Sequence, residues 1–217
     1  MLRLREILAA HAPLLLLDAA STRVQVALFD TQGAARWAVA DEEAGVALFR
    51  GIESLRVDLA QVRGFAFCEG PGSILGIRTA AMALRTWTAL AARPVFAFRS
   101  LELVAYDLAR RSPAENFSAI ADARRSMWHC VEVYAGATRP LRRVTATELT
   151  GVLFMPEHFR TWATKPAETR TTGYDLATLL PRVSEADLFR ATDAPDAFLH
   201  EDPSYLTWTP RIHSAPS

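Results

Sequence analysis

The sequence predicts an α/β fold of two lobes, each built on a βββαβα unit. Three observations predict it. Apolar spacing in the first half switches repeatedly between a period of two and a period of 3.6. A fresh set of strand patterns begins near residue 117. The chain has 217 residues, 50% of them hydrophobic, enough for one large domain or for two lobes of about 100 residues each. Two lobes are the expectation: residues 1–110 form the N-terminal lobe, and residues 111–217 a divergent C-terminal lobe, with the boundary in Arg110-Arg-Ser-Pro113.

Taken in order, residues 1–12 suit a short amphipathic helix with Leu2, Leu4, Ile7 and Leu8 on one side. Leu14–Leu17 is an unbroken apolar run ending at Asp18, and Val24, Val26 and Leu28 share one face of a second strand. Asp30-Thr-Gln-Gly33 is turn chemistry, followed by a third strand at 36–40. Over 41–59 the period changes: Val46, Phe49, Ile52, Leu55 and Leu59 predict a helix, with Asp41, Glu42 and Glu43 suited to its positive N-terminal end. A buried strand at 64–68, a small-residue helix over 74–92, a strand at 95–98 and a helix capped by Ser100 complete the first unit. Beyond it, 117–121 and 128–134 read as strands joined by Asp122-Ala-Arg-Arg125, and 139–145 as a third. Helices are expected at 152–162 and 175–180.

Composition excludes several function classes. With 24 Lys+Arg against 24 Asp+Glu the net charge is zero, so the chain projects no field toward nucleic acid or an anionic membrane, and direct binding of nucleic acid is not expected. All cations but Lys165 are arginines, as a GC-rich genome would produce. Cys68 and Cys130 sit in apolar runs without metal spacing and read as reduced, buried thiols. The apolar stretch near the start is four leucines between Pro13 and Asp18, too short for a signal, and no run approaches the ~20 residues of a membrane span. The expected location is cytoplasmic.

The sharpest local feature is Gly70-Pro71-Gly72-Ser73 with Gly76 and Arg78 following. A strand delivers the chain into a turn whose glycines permit unusual backbone angles, and Ser73 suits the cap of the next helix. That arrangement fits an anion-binding loop, a close partner interface, or simply a tight, capped turn. It is not a Walker loop, because no Gly-Lys-Ser/Thr follows. Asp18 ends the first strand and is a candidate magnesium or nucleotide ligand, although its turn has no glycine. The five histidines share no i, i+4 spacing, so no helical metal site is expected, and no nucleophile elbow appears. Asp122-Ala-Arg124-Arg125 reads as a salt-bridged turn.

The βββαβα repetition resembles the actin-like ATPase (ASKHA, ribonuclease H-like) superfamily. Within it, Leu-Leu-Asp18, Ser21-Thr22, Glu69-Gly-Pro-Gly-Ser73, Gly76-Ile-Arg78, Ser100-Leu-Glu102 and Asp122-Ala-Arg124 resemble in order and spacing the TsaB (YeaZ-like) family over roughly residues 14–135. Pro203-Ser-Tyr205-Leu206 resembles that family's closing motif. The resemblance implies a subunit without catalysis of its own in tRNA N6-threonylcarbamoyladenosine synthesis. It implies a heterodimer with a TsaD-like catalytic subunit through the first-lobe helices, a TsaE-like ATPase joining them, and a homodimer when alone. No tightly bound cofactor is implied, and ATP/ADP and Mg enter at the level of the complex. The chain departs from the family in Ile74-Leu75, where Phe-Thr is usual, and in Thr207-Trp208, where Arg is usual. The alternatives are a small ATPase or phosphotransferase using Asp18, a divergent paralogue with another partner, and a peptidase, for which no nucleophile or metal set is found.

Overall fold

A computed structural model describes residues 1–112 and 116–199. Strand β1 (Leu2–Arg3) and helix α1 (Leu4–His11) precede the meander β2 (Leu14–Asp18), β3 (Val24–Phe29) and β4 (Ala35–Ala40). Then come α2 (Ala44–Ser54), β5 (Gly64–Gly70), α3 (Ile74–Leu90), β6 (Val95–Arg99) and α4 (Ser100–Arg111). The second set is β7 (Phe117–Asp122), β8 (Met127–Tyr134), β9 (Ala137–Thr138), β10 (Arg142–Thr145), β11 (Val152–Pro156), β12 (Arg170–Thr172), α5 (Leu176–Val183) and β13 (Asp187–Ala191).

The duplication is written in the strand order. The first sheet contains the path β4-β3-β2-β5-β6, and the second runs β10-β8-β7-β11-β12. In each, the first strand of an antiparallel meander begins a parallel run: β2 pairs with β5 and β5 with β6, and β7 pairs with β11 and β11 with β12. Every residue of β2 and β5 is buried, as expected for central parallel strands covered on both faces. The second unit keeps the strands and loses the crossover helices. Only the 3-10 turn Ala146–Glu148 lies between β10 and β11, and an irregular segment joins β11 to β12.

Several expectations need correcting. The stretch 152–162 is no helix: Val152–Pro156 pairs in parallel with both β7 and β12, and Leu153 and Met155 face a small core of Ile120, Trp128, Cys130 and Val144. Period two therefore governs this run, and Pro156 ends it. The helix expected over 41–59 is shorter, because the Glu43 carboxylate accepts the Gly45 N–H at one end and Arg56 turns left-handed (φ 50°) at the other. Strand β5 continues through Glu69 and Gly70. Ser100 lies inside α4, and its hydroxyl donates to the Pro71 carbonyl at 2.7 Å, tying α4 to the glycine loop rather than capping a helix. The strand expected from 139 starts at Arg142, after Pro140, which has no N–H to give a ladder.

The expected boundary at 110/111 falls at the end of a helix that both sheets share. Helix α4 runs through Arg111 and packs on β5 and β6 of one sheet and on β7 and β8 of the other, while β13 crosses back to pair with β6. The principal core accordingly runs through both lobes, from Leu15 and Phe67 to Val131, Leu176 and Phe189. Pro113 of the expected hinge lies outside the described residues.

Candidate functional site

Each lobe ends its first central strand with Asp-Ala, and the two aspartates make the same local bond. Asp18 Oδ1 accepts the Ala20 N–H at 2.8 Å, and Asp122 Oδ1 accepts the Arg124 N–H at 2.7 Å. Their surroundings then diverge. Asp18 is fully buried (0% exposed), and its Oδ2 accepts the Tyr174 hydroxyl at 2.6 Å. Burial pushes its carboxyl up to about 6, against the downward pull of the Tyr174 and Ala20 hydrogen bonds. The same burial raises the Cys68 thiol and the Tyr174 phenol beside it. Asp122 lies nearer the surface, where its Oδ2 also accepts the N–H groups of Trp162 (2.7 Å) and Ala163 (2.8 Å). Partial desolvation pushes its carboxyl up, but those N–H groups and the Arg124 charge outweigh it, and the net displacement is downward. The turn is thus held by backbone donors rather than by the expected salt bridge.

Tyr174 closes the space in front of Asp18. Phe159 stacks on it edge-on at 5.0 Å, the Tyr174 carbonyl accepts from Gln25 Nε2 at 3.2 Å, and Gln25 Oε1 accepts the Leu176 N–H at 2.8 Å. In the turn between β2 and β3, the Thr22 N–H donates to the His158 carbonyl at 2.8 Å. As folded, Asp18 does not fit a magnesium ion, since both oxygens are engaged and the carboxylate is sealed from solvent. Tyr174 went unnoticed in the sequence because Gly173-Tyr174-Asp175 reads as an ordinary turn.

The glycine loop is shaped by the Asp18 turn. A Cβ at Gly72 would lie 2.2 Å from the Ala20 carbonyl oxygen, and one at Gly76 would lie 2.2 Å from that of Ala19. The Ser73 N–H donates to Ala20 O at 2.6 Å, and Ser73 Oγ accepts from Gly76 N at 3.4 Å, so these donors at the α3 N-terminus are taken within the chain. Gly70 is left-handed (φ 119°). Its neighbour Glu69 is buried and gathers Arg99 Nε at 2.9 Å and the Arg190 guanidinium.

On the outer side, α2 and α3 leave an apolar groove of about 450 Å³ lined by Phe49, Leu75, Arg78, Met82 and Ala83. Leu75 is 71% exposed, Met82 57% and Phe49 50%, while Ile77, Ala80, Ala81 and Leu84 of the same helix are buried below. Arg78 stands at its rim, its Nε 3.6 Å from Asp196 Oδ1. The sequence-selected residues therefore separate into two roles: Gly70, Pro71, Gly72, Ser73 and Gly76 seat α3, and Arg78 borders the groove. The Pro203–Leu206 motif, His200 and His213 lie outside the described residues. Among the described residues no three His, Cys, Asp or Glu side chains cluster as a metal site would require, and no helix is long and apolar enough to cross a membrane.

Two sheets of matching strand order around a shared helix define a two-lobed α/β protein of the actin-like ATPase superfamily fold. Within that class its fold is similar to that of YeaZ. It is similar to YeaZ from Pseudomonas aeruginosa, 21% identical over 86% of this chain and 99% of that one, with a TM-score of 0.57. It is likewise similar to an uncharacterized protein from Pseudomonas aeruginosa described as similar to peptidase YEAZ, 22% identical over 89% and 98% of the two chains, with a TM-score of 0.58. No protein-family model and no curated protein matches the chain.

Proposed function

We propose that the chain is a non-catalytic scaffold subunit in tRNA N6-threonylcarbamoyladenosine biosynthesis, docking a TsaD-like catalytic subunit on the α2/α3 face. The observation that carries this reading is the exposed groove, where Phe49, Leu75 and Met82 stand in solvent on the outer faces of two helices whose inner faces are buried. Large apolar side chains gathered on one face favour a protein partner. The sealed Asp18 carboxylate supports the same reading, because both of its oxygens are engaged within the fold and not available to a metal ion. The glycine loop acts from beneath, fixing the α3 N-terminus so that Leu75 and Arg78 are presented in one geometry. In this account the cytoplasmic TsaD-like subunit contributes the chemistry, a TsaE-like ATPase joins the pair with ATP and Mg, and two copies of this chain cover the groove in the partner's absence. Affinity capture from the native cell tests it: recovery of a TsaD-like protein with the wild-type chain, and its loss with Leu75→Asp, is expected. Absence of any TsaD-like protein from the wild-type capture would sink the reading.

A further inference from the structure

Zero net charge argued against a grip on nucleic acid, yet charge is unevenly placed at the Asp122 hairpin. Arg124, Arg125 and Ser126 hold φ angles of 63°, 52° and 57°. Three successive left-handed residues with side chains cost free energy and persist only where their surroundings over-determine them. Asp122 does so, by holding the Arg124 N–H with one oxygen and the N–H groups of Trp162 and Ala163 with the other. Arg143 of β10 braces the turn, donating to the Ala123 carbonyl at 3.3 Å.

The consequence is a fixed, solvent-facing stack. The Arg124 Cζ lies 3.1 Å from the centre of the Trp162 ring, and Trp162 is 53% exposed. Arg124 and Arg125 are exposed, and neither forms an ion pair among the described residues. Across the two loops, 123–126 and 157–169, Arg124, Arg125, Arg160 and Lys165 stand against Glu157 and Glu168. Asp122 is already occupied by backbone donors.

We propose that this surface binds an unpaired stretch of nucleic acid, with a base stacking on the Arg124–Trp162 pair and Arg125 engaging phosphate. A planar guanidinium laid on an indole offers a π-surface that any base accepts, and a guanidinium fork matches phosphate oxygens. An acidic peptide would satisfy the charges and leave the stack without a planar partner. The proposal rests on these residues alone and stands or falls separately from the scaffold reading.

The test is fluorescence anisotropy with a labelled single-stranded RNA of about 12 nucleotides, a length within the usual footprint of stacking platforms. Binding is expected at low salt, with a log–log salt slope of about −0.7 for the one phosphate that Arg125 engages. The double variant Arg124→Ala, Arg125→Ala should bind at least about tenfold more weakly, Trp162→Ala similarly, and Trp162→Phe should retain most of the affinity. If a variant at Arg124 or Trp162 fails to fold, Arg125→Glu alone must still weaken binding. No binding by the wild type at low salt, undiminished binding by the Arg variants, or displacement by polyglutamate as effective as by unlabelled RNA would each overturn the proposal.

Discussion

Replacing Asp18 by Asn should stabilise the protein at neutral pH, although it removes the acid that the sequence offers as a candidate magnesium ligand. The wild-type carboxyl is lifted from 3.8 to about 6 in the fold. The folded state thus binds this proton more tightly than the unfolded chain. The stability Asp18 contributes is complete below the ordinary carboxylate value and is lost as pH rises through about 6. A displacement of roughly two units amounts to about 3 kcal/mol, which the wild type has lost at neutral pH. Asn is isosteric and uncharged, its carbonyl can accept the Ala20 N–H, and the Tyr174 hydroxyl can accept from its amide. The advantage of Asp18→Asn should therefore be small near pH 4 and grow to about 3 kcal/mol near pH 8, or roughly 6–12 °C in Tm for a chain of this size. Paired urea and thermal melts across that range provide the assay. The difference between variant and wild type isolates Asp18 from the other carboxylates. A variant destabilised equally at every pH, or a difference that does not change with pH, would refute the reasoning.

Tyr174→Phe removes a hydrogen bond that pulls the Asp18 carboxyl down, so it should destabilise by about 1–3 kcal/mol at pH 8 and less near pH 5, as read by urea midpoints. Gly76→Ala drives a Cβ into the Ala19 carbonyl and should cost about 1–3 kcal/mol in urea melts. Gly173→Ala, where nothing lies within 4 Å of the added atom, should stay within about 0.5 kcal/mol. Asp122 behaves oppositely to Asp18: its carboxyl is held low, so its contribution is present above the ordinary carboxylate range and lost as pH falls through the lowered value. Asp122→Asn should therefore narrow its stability deficit on acidification, measured by melts against the wild type.

The first lobe was legible because its elements keep clean periods. Leu14–Leu17 and Phe65–Cys68 are continuous apolar runs that only a doubly covered strand tolerates, and Val46, Phe49 and Ile52 step as a helix does. The second lobe hid its logic. In Val152–Pro156 a five-residue strand carries apolar residues throughout, and nothing local distinguishes that from a helix turn; pairing with β7 and β12 decides it. The return of β13 to the first sheet is likewise a long-range choice. At the site, the glycine loop was visible as a motif, but its purpose was not. Gly72 and Gly76 are required by carbonyls more than fifty positions earlier in the chain, a contact no spacing rule encodes. The shared Asp-Ala turn of the two lobes was present in the sequence from the start, yet only strand order reveals that Asp18 and Asp122 occupy equivalent places.

The central claim, a scaffold that docks through α2 and α3, is tested most directly by mass in solution, measured by light scattering for the chain alone and mixed with a TsaD-like subunit. The account predicts a one-to-one heterodimer that Leu75→Asp with Met82→Asp abolishes while the melting temperature of the chain is unchanged, since both side chains already face solvent. A chain that stays free in the mixture, or a doubly substituted chain that still forms the complex, would contradict it.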